Sequence, residues 1–339
     1  MNAAAHPAAG PALLDHATET IRVGSKSFAA AARLFDAHTR RGVLMLYAWC
    51  RHCDDTVDGQ ELGHNTAASA TLDAAAQRRL LDALHQETRR AYAGEPMSHP
   101  AFAAFQDVAL AHAIPQQFAY DHLGGFAMDV AGTHYDTIDD LLRYCYHVAG
   151  VVGLMMASIM GVKDPAVLDR ACDLGLAFQL TNIARDLVED AAVGRHYAPA
   201  AWLLDAGIPP GEAGLAQHRA RLAQVAARLV DHAEPYYDSA AAGIAALPLR
   251  SAWAIATARN VYRQIGIEVK RRGPHAWDER VGTSRAAKLR LLAKGALQAF
   301  GSRFAGPGAS REQDRPAHLW QRPGRGAAVR PHAAPAAGV

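Results

Sequence analysis

The sequence predicts an all-α fold, a single helical bundle, on three observations. Strand signals are scarce. Ala and Leu dominate, and apolar residues recur mostly at spacings of three and four, the period of a helix face. Half of the 339 residues are hydrophobic, which supplies one large core, and no linker-like stretch divides the chain. The expected organisation is a helical domain over 13–300, preceded by a loosely ordered segment 1–12. A Gly-, Pro-, Ala- and Arg-rich tail over 301–339 is expected to be loosely ordered too.

The helices follow in order. Apolar periodicity marks 13–28, 40–58, 71–93, 102–113, 116–130, 137–161, 166–191, 214–240, 251–273 and 284–300. Breaks fall at Gly59–His64, Gly94–Pro100, Gly194–Pro199, Ile208–Gly214 and Leu247–Pro248, where Gly and Pro interrupt the pattern. Thr71 and Thr137 precede helical runs and are expected to cap them. The least polar stretch, "VAGVVGLMMASIMGV" at 148–162, is short for a bilayer span, which needs about 20 residues. It reads as a buried helix. Its glycines Gly150, Gly153 and Gly161 leave room beside adaptable methionines, as the wall of an apolar tunnel would.

Bulk composition excludes several classes. A formal net charge of +2 gives no steering toward nucleic acid. Four cysteines, Cys50, Cys53, Cys145 and Cys172, are too few for a disulfide scaffold and fit a cytoplasmic protein. Cys50 and Cys53 form C-x-x-C, but a second ligand pair and a βαβ context are both missing, so they read as packing residues. The N-terminus lacks the basic-then-apolar order of a secretory leader.

The chemistry lies in two acidic stripes. At 100° per residue, Tyr47, Arg51, Asp54 and Asp58 of "YAWCRHCDDTVD" share one helix face, with Asp55 beside it. In "FQLTNIARDLVED", Gln179, Asn182, Asp186 and Asp190 form a second stripe flanked by Arg185, with Leu176, Leu180, Ile183 and Leu187 opposite as core. A single D-x-x-x-D is usually a solvated face, because a like-charge pair costs an isolated helix only about 0.2–0.5 kcal/mol. Here the pattern occurs twice, each time with an arginine nearby, on helices apolar enough to be central. Carboxylates near a core need a cation. An all-oxygen donor set suits Mg²⁺, Mn²⁺ or Ca²⁺ and not zinc. Two such helices facing each other would hold a diphosphate through the metal, with Arg51 and Arg185 on the remaining phosphate oxygens.

These two segments, with "GSKSF" (24–28), "YCYHVAGVVG" (144–153) and "VYRQIGIEVKRRGPHAWDERV" (261–281) in the same order, closely resemble the squalene/phytoene synthase family of head-to-head prenyl transferases. "RPAHLWQRP" (315–323) resembles its bacterial phytoene-forming members. The resemblance implies an isoprenoid-synthase bundle with a central apolar cavity. It implies catalytic and metal-binding aspartates at Asp54, Asp58, Asp186 and Asp190, with Asn182 as amide ligand. Ser25, Lys26, Ser27, Arg51, Gln179, Arg185 and Arg280 match substrate-binding positions. Tyr47, Tyr144 and Tyr262 match tyrosines lining the reaction centre, Tyr47 and Tyr144 being candidates to take protons. Relatives often carry His where Gly24 stands.

The implied reaction condenses two geranylgeranyl diphosphates to phytoene through prephytoene diphosphate, for carotenoid biosynthesis, with Mg²⁺ (or Mn²⁺) and without NADPH. The implied partners are a prenyl diphosphate and no nucleic acid; peripheral contact with a membrane is left open. The alternatives are a squalene or dehydrosqualene synthase using farnesyl diphosphate, an Mg-dependent all-α pyrophosphohydrolase, and a non-catalytic helical scaffold.

Overall fold

The structure is a computed structural model and describes residues 10–24, 29, 31–61, 64–65, 72–304 and 315–324. The elements run α1 (Gly10–Gly24), α2 (Ala37–Asp58), α3 (Ala74–Tyr92), α4 (Pro100–Ala111), α5 (Gln116–Val130), α6 (Ile138–Cys145), a π-helical turn (Tyr146–Gly150) and α7 (Val151–Ile159). They continue with α8 (Pro165–Ala192), α9 (Ala200–Asp205), α10 (Arg219–Gly243), α11 (Leu249–Arg272) and α12 (Arg285–Gly301). Among the described residues, extended pairing is confined to Gln60–Glu61 against His64–Asn65, in the break after α2.

The ends of α2 and α8 are set locally. Asp36 caps α2 by accepting from Thr39 N at 3.0 Å. Gly59, at φ 63, stops α2 directly after Asp58 in a left-handed conformation that glycine adopts without a Cβ penalty. Asp164 caps α8, accepting from Ala166 N. Thr137 caps α6 as expected, in a full capping box with Asp140. The expected cap at Thr71 lies outside the described residues; Asp73 caps α3 instead. The helix α9 was not anticipated, since six residues are too few to show a period.

The core has two lobes. One gathers α6, α7, α8 and α10 around Leu142, Leu154, Leu176, Leu180, Leu229 and Tyr237. The other gathers α1 to α5 around Trp49, Met45, Phe105 and Leu123. Helix α7 serves both, sending Leu154 into the first and Met155 and Ile159 into the second. So α2 and α8 are the central helices of neighbouring lobes, and their polar stripes are what each lobe leaves uncovered.

Ile138–Ile159 is apolar enough and, at 22 residues, long enough to cross a membrane, yet 56% of its 18-residue apolar window is buried inside the protein. It is a core segment, as the 148–162 stretch predicted. Its glycines have a different role from the expected one. A Cβ on Gly153 would lie 2.3 Å from Ala171 O, and one on Gly175 would lie 2.3 Å from Ala149 O. These glycines let the π-helical turn and α7 touch α8 backbone to backbone; Gly161, at φ 81, ends the segment. All four cysteines are free. Burial pushes the Cys50 thiol up to about 12, so a thiolate for redox or metal chemistry is disfavoured there.

The 301–339 stretch departs from the expected loose tail over its described part, residues 315–324. Arg315 grips Asp173 of α8 with Nε at 2.8 Å and Nη2 at 2.7 Å. Arg322 Nε donates to Asp169 Oδ1 at 2.7 Å. Leu319 is buried, and Trp320 N donates to Tyr236 Oη at 3.1 Å. The physical reason is charge: Asp169 and Asp173 are buried on α8 and need partners. The tail's scattered arginines resemble a solvated sequence until those partners are known.

Candidate active site

The stripe on α8 lines a cavity of about 220 Å³ together with residues from two other segments: Gln179, Asn182, Arg185, Asp186 and Asp190 from α8, Tyr144 from α6, and Arg195 and Tyr197 from the loop after α8. The stripe on α2 joins this mouth through Arg195, whose guanidinium donates to Asp58 and whose charge is also felt by Asp54, Asp129 and Asp190. Tyr262 on α11 completes the ring. It stacks on Phe178 at 4.2 Å and feels Tyr47, Arg185, Asp186 and Arg280 at once. None of the α2 stripe residues lines this cavity; the two stripes are linked through Arg195, which pairs with Asp58 and whose charge reaches Asp190.

Among the aspartates of the two stripes, all but Asp190 have an arginine as ion-pair partner. Arg51 Nη1 donates to Asp54 Oδ2 at 2.7 Å and lies 3.8 Å from Asp55. Arg185 makes a two-pronged contact with Asp186, its Nε at 2.7 Å from Oδ1. Arg280, largely exposed, reaches Asp186 Oδ2 at 3.4 Å. Even so, negative charge is in excess. Burial, aided by Asp58 and Asp55, pushes Asp54 up to about 6. Burial and the neighbouring Asp186 push Asp190 up to about 7. Such sites gain from an added cation.

Among the described residues, no three His, Cys, Asp or Glu side chains converge on one point as a metal site. The donor chemistry nevertheless fits a hard divalent ion. Asn182 Oδ1 is buried without a hydrogen-bond partner, while its Nδ2 leans on Gln179 Oε1 at 3.4 Å. An orphaned amide oxygen one turn before two carboxylates on the same helix face is a donor suited to such an ion.

The tyrosines sit deeper. Tyr144 is buried and donates to Asp129 Oδ2 at 3.1 Å; Tyr197 donates to Asp129 Oδ1 at 3.1 Å. The two rings stack at 4.9 Å. Burial pushes Asp129 up to about 6, against the pull of Arg195 and the two hydroxyls. Tyr47 lies against the end of α1: a Cβ at Gly24 would sit 2.6 Å from Tyr47 Oη. With the tyrosine in this position, a larger residue at 24 would displace it. Ser25, Lys26 and Ser27 lie outside the described residues.

Three residues of this mouth were missed. Arg195 and Tyr197 stand in "VGRHYAP", directly after the second stripe, but a loop has no period to mark them. Asp129, in "FAMDV", has no partner at helical spacing and reads as an ordinary surface acid.

The pattern of the squalene/phytoene synthase family matches residues 21–290. The chain is 59% identical over 313 residues to the 15-cis-phytoene synthase of Pantoea ananas, covering 92% of this chain and 99% of that one. It is 48% identical to the 15-cis-phytoene synthase of Paracoccus sp. (strain N81106 / MBIC 01143), covering 90% and 96%. Among solved structures, it resembles a dehydrosqualene synthase in complex with ligand, with TM-score 0.72, 25% identity, and 84% and 95% coverage. It also resembles a squalene synthase from Alicyclobacillus acidocaldarius, with TM-score 0.66, 27% identity, and 78% and 97% coverage.

Proposed function

The chain belongs to the squalene/phytoene synthase family, and we propose that it is a prenyl transferase condensing two geranylgeranyl diphosphates head to head into phytoene, for carotenoid biosynthesis. The observation that carries the product is identity: relatives at 48–59% over nearly the whole chain are phytoene synthases, whereas the squalene and dehydrosqualene synthases are similar at 25–27%.

The residues divide the work by chemistry. Asp54, Asp58, Asp186 and Asp190, with the orphaned Asn182 Oδ1, would hold Mg²⁺, or Mn²⁺ in its place. When bound, the metal supplies Lewis-acid stabilisation of the leaving diphosphate. Arg51, Arg185, Arg195 and Arg280, now paired with aspartates, are the cations that can turn to phosphate oxygens. Gln179 supplies an amide beside them. An allylic cation formed here is attacked by the second substrate's double bond, and proton loss closes the cyclopropane of prephytoene diphosphate. Loss of the second diphosphate, rearrangement and a further proton loss give phytoene with no reductant consumed. The faces of Tyr47, Tyr144 and Tyr262 stabilise cationic carbon by about 0.5–2 kcal/mol each. Tyr144 is held by Asp129, so its proton position is defined. The protein is proposed to work in the cytoplasm, in peripheral contact with the bilayer that receives its product.

Incubation with geranylgeranyl diphosphate and Mg²⁺, with and without NADPH, tests this reading. Phytoene in both arms is the expected product. Turnover of farnesyl diphosphate alone, to squalene or dehydrosqualene, or turnover unaffected by EDTA, would overturn it.

A further inference from the structure

Helix α12 presents its apolar side chains the wrong way round for a helix that only packs. Its inner seam against α11 is Leu291, Gly295 and Ala299. The approach there is so close that a Cβ on Gly295 would meet Thr257 Oγ1 at 2.4 Å. Trp253 Nε1 donates to Leu292 O at 3.0 Å, and Asn260 Nδ2 to Gln298 Oε1 at 2.8 Å, fixing the helix's rotation. The large apolar residues point outward instead. Leu289, Ala293, Leu297 and Phe300 fall within about 80° of one another, and Leu297 is 75% exposed. Phe304, just past the helix end and 76% exposed, sets its ring edge against Phe300 at 5.2 Å. Isolated exposed leucines are ordinary, but a stripe of them is not.

Charge selects the occupant. From Arg285 to Phe304 there is no acidic residue. Arg285 lies on one flank of the stripe and Arg290 and Lys294 on the other, with Lys288 further round; all four are exposed. Arg303 is held at the foot of the helix, donating to Ala245 O at 3.1 Å and to Leu247 O. A second copy docked on this face would set cations against cations. An anionic lipid surface matches both the apolar stripe and its basic borders.

We propose that the outward face of α12 is a membrane-docking surface, seating Leu289, Leu297, Phe300 and Phe304 at the acyl boundary of an anionic bilayer with Arg285, Arg290 and Lys294 among the headgroups. None of these residues lines the catalytic cavity, so binding and turnover can be scored separately.

The test is flotation of the full-length protein, without substrate, with vesicles of phosphatidylcholine alone or of equal parts phosphatidylcholine and phosphatidylglycerol. The wild type should float with the anionic vesicles, less with the neutral ones, and less as salt is raised. The variant Leu289→Ser/Leu297→Ser/Phe300→Ser/Phe304→Ser should lose about tenfold or more of that partitioning. The variant Arg285→Gln/Arg290→Gln/Lys294→Gln should lose it several-fold, on anionic vesicles only. Both should keep the wild-type melting temperature and turnover of detergent-dispersed substrate. A wild type that floats with neither vesicle, or a serine variant that floats like wild type, overturns the proposal. So does a wild-type dimer that the serine variant converts to monomer without vesicle binding.

Discussion

Helix α8 carries the same motif twice, with opposite fates. Asp169 and Asp173, near its N-terminus, are spaced four apart, as are Asp186 and Asp190 near its C-terminus. The first pair is closed. Asp173 is wholly buried, and Arg315, with a side chain only 7% exposed, covers it. Arg322 covers Asp169, and Ser239 Oγ adds a hydrogen bond to Asp173. The second pair is open. Its arginines are partly exposed, Asp190 has been pushed up to about 7, and the nearby Asn182 Oδ1 has no partner. The spacing is the same. What separates a structural ion pair from a ligand set is whether protein cations satisfy the charge completely.

That comparison can be broken most sharply at the open pair. Replacing Asp186, or Asp54 across the mouth, with Ala should lower kcat by about 10³-fold or more, equivalent to about 4 kcal/mol, while circular dichroism and melting temperature stay near wild type. Steady-state assays at saturating Mg²⁺ check it; a folded variant with near-normal turnover would put these carboxylates on the structural side. At the closed pair the effects should invert. Arg315→Gln strands a buried carboxylate, so the fold should lose about 3 kcal/mol, read from denaturant unfolding.

The third prediction is smaller and depends on pH. Asp190 has a higher pKa in the fold, about 7, than in the unfolded chain, about 3.9. Between these values the folded state binds the extra proton, so stability falls as pH rises through the window and the full cost stands above pH 7. Asp190→Asn removes that cost. In metal-free protein it should stabilise by about 1–2 kcal/mol near pH 8, discounted for solvent screening, and by almost nothing near pH 4. Adding Mg²⁺ and diphosphate should reverse the ranking, because only the wild type gains a ligand. Melting curves across pH would show whether the open pair is as undersatisfied as its geometry indicates.

The two α8 pairs also mark how far sequence reasoning reached. Helical period placed α2 and α8, because those helices are long and their apolar residues recur at spacings of three and four. The grounds used for Asp186 and Asp190 were a spacing of four, an arginine close by and apolar residues elsewhere on the helix. Asp169 and Asp173, beside Arg170, meet them equally. Periodicity shows which residues share a face but not what covers it. The covering residues, Arg315 and Arg322, come from a segment with no period at all, 142 and 153 residues away in sequence. The same gap hid Arg195 and Tyr197, which reach the cavity from a loop. It also misassigned Gly150 and Gly153, whose role depends on the helix lying against them. The family resemblance, and not the spacing, singled out Asp186 and Asp190 as the proposed ligand pair.

The most direct test of the central claim is Mn²⁺ binding followed by electron paramagnetic resonance, with and without inorganic diphosphate, in wild type, Asp54→Asn, Asp186→Asn and Asp173→Asn. The account predicts diphosphate-enhanced Mn²⁺ binding that weakens in both Asp54→Asn and Asp186→Asn and persists in any Asp173→Asn that folds. Binding unchanged by Asp54→Asn and Asp186→Asn would contradict it, for then the helices would not share a metal site.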